Sequence, residues 1–422
     1  MRSNPPQPRQ NFFRAPDARA WALAAVLAVL AAVKLSVAFD RLLSRQDGAV
    51  DLAMRAAETR AWFEGKWKGF VVYPPASQAL FWPAVGWLPF EEARGLWALV
   101  SLGCLAWLAA ICMRECGLRS TGGRVACAIL PLAMSATSSA VAVGQVVHVF
   151  LPVVTTAVLL MARGPSRWAD SAGAATLFTI ASVKPTLFAP FAWLVLALPR
   201  KSRTAILSGL LYFALTIVAL SALDPPESGD DSVLGKLVAG LAWRTNWATR
   251  AVPSKGAARV FEGGYGNLQN LSQGAGMIGL QNFVLPVASV LACGAWLLRR
   301  RRGDPWILLA VCAIAARLGW YHRIYDDMLI VLPVIALVRV LASRGTPGGV
   351  DGRTARIAAI LLAATLAPLL WPGSLGDTLW NIPKTVAPWT WLADLVFFVG
   401  VAPAFDGARA EAARGLWLPG AP

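Results

Sequence analysis

Residues 39–94 read FDRLLSRQDGAVDLAMRAAETRAWFEGKWKGFVVYPPASQALFWPAVGWLPFEEAR, and this stretch decides how the rest of the chain is understood. It lies between two long apolar segments, residues 21–38 and 96–113, yet it is dense in charge. Asp40, Asp47, Asp51, Glu58, Glu64, Glu91 and Glu92 alternate with Arg41, Arg45, Arg55, Arg60, Lys66 and Lys68. Two apolar segments joined by a polar connector are the pattern of a chain that crosses a membrane and returns. Within the connector, Asp51, Arg55 and Glu58 fall at i, i+4 and i+7, one face of a helix expected over residues 51–65 with Gly65 as its stop. Tyr73-Pro74-Pro75 forces an extended entry to the next segment, because a residue before proline avoids the helical region. Residues 76–88 are apolar and Trp-bearing, but short for a span and interrupted at Pro83. They read as a helix lying in the membrane interface.

The rest of the sequence follows the same grammar. Of 422 residues, 57% are hydrophobic and only 15% charged, against roughly 25% charged in an ordinary soluble domain. The expectation is an all-α polytopic membrane protein of about twelve transmembrane helices. They fall at residues 21–38, 96–113, 125–143, 149–161, 171–183, 186–198, 205–223, 278–298, 306–320, 328–341, 357–371 and 386–401. Every second connector is basic, as at Arg114, Arg119 and Arg124, at Arg163 and Arg167, at Arg200, Lys201 and Arg203, and at Arg299 to Arg302. The positive-inside rule puts these connectors in the cytoplasm, together with an N-terminal segment (1–20) and a tail (403–422). Residues 21–402 then form the transmembrane domain, with outer loops at 39–94 and 224–277, in an inner or plasma membrane. The formal charge of +16 is explained by those connectors, so no nucleic-acid partner is implied. Six Cys and two His make no metal-ligand spacing; neither a metal nor a cofactor is expected.

Several groups can carry chemistry. Asp51, close to the membrane surface, can deprotonate an acceptor hydroxyl while a sugar leaves a phosphate carrier; the plainer reading is an i,i+4 pair with Arg55. Asp40 and Asp47 are rivals. His322, flanked by Tyr321 and Arg323 with Tyr325 and Asp326 close behind, can bind or protonate a phosphate, or simply be capped by Asp326. Lys184 before Pro185 is a cation at a helix break, fit for an anion or for snorkelling. Arg317 is a cation inside an apolar run, which usually faces a partner or a cavity. Arg55, Tyr73, Gln145, His148, Asn270, Tyr325 and Asp326 are candidates for sugar or acceptor contacts; for Gln145 and His148 the alternative is satisfying exposed backbone. A glycine-rich phosphate loop and a nucleophile elbow are both missing, which argues against a soluble nucleotide-sugar enzyme.

Asp51, Ala56-Ala57, Gly65, Tyr73-Pro74-Pro75, Pro83, Leu88-Pro89-Phe90, Ala93 and Leu96-Trp97 together resemble the first outer loop of glycosyltransferase family 87. Gly144-Gln145, Lys184-Pro185, Asn270-Leu271-Ser272 and the late His322 with Tyr325-Asp326 are similar to its later signatures. The resemblance implies a GT-C-like helical bundle with a helical first extracytoplasmic loop, a polyprenyl-phosphate-sugar donor and a lipid or glycan acceptor among the membrane lipids. It implies Asp51 as general base, with Lys184, Arg317, His322 and Arg323 at the donor phosphate. Mannose is the sugar it points to first and arabinose second. The chain departs from the family pattern at Met54-Arg55 and at Val147-His148. Two other classes compete. A secondary transporter would show inverted repeats and a mid-bilayer carboxylate. A non-catalytic membrane partner would tolerate loss of Asp51 and His322 together. The enzymatic reading demands that Asp51 and the cationic groups near residue 322, about 270 positions apart, face each other across one cavity.

Overall fold

The computed structural model describes residues 18–65, 73–162, 168–198, 202–222, 267–274, 279–301, 303–320, 323–344, 349–371 and 377–402, with a few isolated positions between. Residues 377–385 are described through their backbone alone. His322, most of residues 224–277 and both termini lie outside the described residues. Among the described residues every regular element is a helix. In order these are α1 (Ala18–Ser44), α2 (Val50–Phe63), α3 (Pro75–Phe81), α4 (Phe90–Glu115), α5 (Thr121–Ala133), α6 (Ser135–Val143), α7 (Val147–Ala162) and α8 (Trp168–Ala181). There follow α9 (Pro185–Ala197), α10 (Ser202–Ser221), α11 (Leu268–Gly274), α12 (Val284–Arg299), α13 (Pro305–Gly319), α14 (Val331–Ala342), α15 (Gly352–Leu370) and α16 (Asp377–Val401). Short 3-10 turns precede α12 and α14, at Gly279–Phe283 and Ile324–Ile330.

Residue choice explains the layering. α1 carries Val26, Val29, Val33 and Val37 on its open face and Ala24, Leu27, Ala31 and Ala38 on its packed face, against α5 and α6. Branched side chains to the outside and small ones inward are how helices approach closely where lipid, not water, is the solvent. α10 is open along most of its length, with only Thr204, Ala219 and Leu220 buried. α13 is the reverse, buried at nearly every position from Trp306 to Gly319, and forms the centre with α7 and α14.

Five helices are long and apolar enough to cross a membrane: Ala18–Ser44, Phe90–Glu115, Ser202–Ser221, Gln281–Arg299 and Gly352–Leu370. α5 and α6 make a sixth if counted as one span bent by 46°. Four further apolar helices, α7, α9, α13 and the part of α16 from Val386 to Val401, are shorter. Some of these apolar runs are divided by breaks that hydropathy does not register. One break lies at Met134, where the backbone turns extended between α5 and α6. Lys34 of α1 reaches it, donating to Ala133 O (2.9 Å), Ser135 Oγ (3.0 Å) and Leu370 O (3.2 Å). A cation on the unpaired carbonyls that end two helices is favourable, so this lysine turns inward and does not snorkel.

Residues 76–88 also differ from expectation. α3 is mostly buried, packs on α10, and continues past Pro83 through a π-helical turn, Trp82–Gly86. A wider turn absorbs the proline's missing N–H. Arg60 of α2 fastens this turn by donating to Gly86 O (3.3 Å) and Leu88 O (2.6 Å). At the far end of the bundle, Arg339 donates to Glu115 O (2.6 Å) and Asp304 Oδ2 (3.1 Å), tying the ends of α4, α13 and α14. Arg114, Arg119 and Arg124 cluster at that same end, near the C-terminus of α4.

Candidate active site

α2 is docked end-on against the turn between α6 and α7. Ala49, just before it, adopts φ 54° and donates its N–H to Ala142 O (2.9 Å). Gly144 closes α6 at φ 72°, and a Cβ there would meet Leu52 Cβ at 2.5 Å. Only glycine allows both the left-handed backbone and this approach. Gln145 follows, its N–H bonded to Ala140 O (2.9 Å), and its side-chain amide donates to Asp51 Oδ2 at 2.7 Å. Arg55, one turn along α2, does not take up Asp51. It pairs with Glu58, three residues on, and its guanidinium lies 4.6 Å from the centroid of the Tyr73 ring. The helical pairing that would have made Asp51 merely structural is therefore not formed.

A second set of side chains arrives from the later sequence. α8 ends at Ala181, and Lys184, held extended by Pro185, precedes α9. Ser77 Oγ of α3 donates to Val183 O (2.8 Å) and fixes this turn. Lys184 Nζ donates to Asp326 Oδ1 at 2.7 Å and lies 5.2 Å from the Tyr325 ring centroid. Tyr325 and Asp326 belong to the 3-10 turn before α14, which packs on α6 and α7. The two sets meet. Burial raises the Tyr73 phenol above its ordinary range; Lys184 and Arg55 oppose this, and Asp326 and Asp51 add to it. Burial likewise raises Tyr325, reinforced by Asp326 and Asp51 and opposed by Arg323. Both phenols thus feel both carboxylates, so Asp51, Arg55, Tyr73, Gln145, Lys184, Arg323, Tyr325 and Asp326 share one electrostatic neighbourhood. Asp51 is partly open; Asp326 is 1% exposed.

Other candidates fall outside this set. Arg317 is 1% exposed, paired with Asp327 and stacked 4.8 Å from the Trp391 ring centroid. It braces Asp327, the residue beside Asp326. Asp327 itself is pushed up to about 6 by burial, with Arg317 pulling the other way. His148 lies apart from this set: it is fully buried in the first turn of α7, its Nε2 2.8 Å from Ser101 Oγ and its ring edge-on to Trp97. Ser101 Oγ donates to Trp97 O (2.7 Å), so the imidazole is the donor in that contact and serves packing between α4 and α7. Asn270 lies on α11, beside α12 and α13, and its side chain is outside the described residues, as is His322. Glu58 was the partner that sequence reasoning missed, although its i+3 spacing from Arg55 was visible. Burial raises its carboxyl, against Arg55. Among the described residues no three His, Cys, Asp or Glu side chains gather as a metal site.

A partly open carboxylate, a buried cation and two phenols are gathered at one end of a bundle of apolar helices long enough to cross a membrane. The model of glycosyltransferase family 87 matches residues 70–320, more than half of the chain, and the chain belongs to that family. It is a membrane glycosyltransferase. The matched stretch starts after Asp51 and ends before Tyr325, so those two enter the site through geometry. No curated protein and no solved structure matches the chain.

Proposed function

We propose that this glycosyltransferase moves one sugar, mannose in the first instance, from a polyprenyl-phosphate donor to a hydroxyl of a lipid or glycan on the outer face of the membrane. The observation that supports the reading is the convergence on α6 and α7 of Asp51, held by Gln145, and of the turn that carries the Lys184–Asp326 pair, although the three come from distant parts of the chain. The acceptor oxygen forms its bond to the anomeric carbon as the bond from that carbon to the phosphate oxygen breaks. Asp51 takes the hydroxyl proton, and the electron pair leaves on the phosphate. A one-step displacement of this kind inverts the anomeric centre. Lys184 and Arg323 neutralise the departing phosphate, which lowers the barrier most where water is excluded. Arg55 and Tyr73, stacked on each other, and Tyr325 offer donors and faces for sugar hydroxyls. The outer-face assignment is supported by the arginines at the opposite end of the bundle.

Membranes carrying the full-length protein, supplied with radiolabelled polyprenyl-phosphate-mannose, should move label to an endogenous lipid or glycan. Asp51→Asn should lower that transfer by about 10³-fold, within the range for loss of a general base. Full turnover in this variant would remove the base assignment.

A further inference from the structure

From sequence, Gln145 is a candidate for sugar contact or for satisfying exposed backbone; in the structure its side chain bonds to Asp51. The residue is only 7% exposed, and its amide donates to Asp51. A carboxylate offers two oxygens, and the terminal torsion of Asp is soft, so an unrestrained Asp51 would present either oxygen over a broad arc. We infer that Gln145 is a positioning residue for Asp51: its amide occupies Oδ2 and leaves Oδ1 as the oxygen that receives the acceptor's proton. The inference rests on the reading of Asp51 as the base.

Three features support it. The donor is a neutral amide, so it orients the carboxylate without cancelling the charge a base needs. The nearest cation on the same helix face, Arg55, is drawn off by Glu58. The amide's own backbone is fixed: Gly144 holds the left-handed turn, Gln145 N–H is bonded to Ala140 O, and Val146 and Val147 are buried immediately after it. Both partners are therefore anchored to the same turn, since Ala49 N–H to Ala142 O and the contact of Gly144 with Leu52 lock α2 there. Those two contacts do not involve the Gln145 side chain, so α2 stays docked when the amide is removed.

The test uses full-length protein in membranes with radiolabelled polyprenyl-phosphate-mannose as donor. Gln145→Met keeps the volume and removes the donor group. Its kcat should fall about 10- to 100-fold, the scale of a catalytic group displaced by about an ångström, with donor KM within about twofold and an unchanged unfolding midpoint. Gln145→Asn, one methylene too short to reach Oδ2, should behave the same way. In the Asp51→Asn background, Gln145→Met should cause no further loss, because it acts only through that carboxylate. A Gln145→Met enzyme with wild-type kcat, beside an inactive Asp51→Asn, overturns the positioning role and leaves the base reading standing. A raised KM with intact kcat also overturns it and returns Gln145 to sugar binding. An active Asp51→Asn enzyme overturns both.

Discussion

Asp51 and Asp326 share one neighbourhood and are each held at 2.7 Å, but by opposite kinds of partner. Asp51 accepts from a neutral amide and stays partly open to its surroundings. Asp326 accepts from an ammonium and is almost wholly buried. Equal distances therefore carry different chemistry. The amide fixes an orientation and leaves the charge available, while the lysine cancels the charge and makes the acid part of the wall. On the proposed reading, a donor phosphate would compete with Asp326 for Lys184 and leave the bond between Gln145 and Asp51 in place.

Exchanging each acid for its amide breaks this comparison if the two are alike. Asp51→Asn carries the largest expected effect, the roughly thousandfold loss of transfer at unchanged stability. Asp326→Asn should act on folding instead. Stranding a buried ammonium costs about 3 kcal/mol, seen as a lower midpoint in denaturant, and Lys184→Met in the same chain should recover part of it. One shared phenotype for the two acid variants would erase the distinction. Lys184→Met alone should raise donor KM about tenfold, of the order expected for one lost charge-assisted hydrogen bond. His148→Leu marks the edge of the site: transfer should stay within about threefold of wild type, while stability falls by about 1 kcal/mol for the lost contact to Ser101. A tenfold loss of transfer would bring His148 back into the site.

The smallest effect concerns Asp327. Its carboxyl is raised to about 6 by burial in spite of Arg317. An acid raised in the folded state supports folding below its ordinary value near 3.8 and loses that support as pH climbs through about 6. Asp327→Asn stays neutral throughout, so its unfolding midpoint relative to wild type should rise between pH 4 and pH 7. A fall over that range would mean that the ion pair with Arg317 outweighs burial.

Much of this was legible beforehand. Residues 50–63 are helical where the spacing of Asp51, Arg55 and Glu58 predicts it, and Gly65 follows at φ 68°. Lys184 stands at a helix break because Pro185 requires one. Partner choice was not legible. Arg55 has acids within helical reach on both sides, Asp51 at i−4 and Glu58 at i+3, and spacing cannot choose between them; the geometry selects Glu58, with the Tyr73 ring against the guanidinium. Gln145 and His148 are three residues apart and look alike as polar groups at one turn. Gln145 precedes α7 and faces α2, whereas His148 is inside α7 and faces α4. Breaks inside apolar runs were hidden for a similar reason. Hydropathy sums over windows, and a single extended residue such as Met134 divides a helix without changing the sum.

The sequence by itself determined that the chain lives in a membrane, which end of the bundle is basic, and which few polar residues could do chemistry. Those properties are local or additive, and composition and short spacing express them. Tertiary structure alone decided which of those polar residues meet and which acid is left available. The contacts that decide it join residues 94 and 142 positions apart. A hydrogen bond tolerates only a few tenths of an ångström, a precision that arises only when packed helices fix both partners.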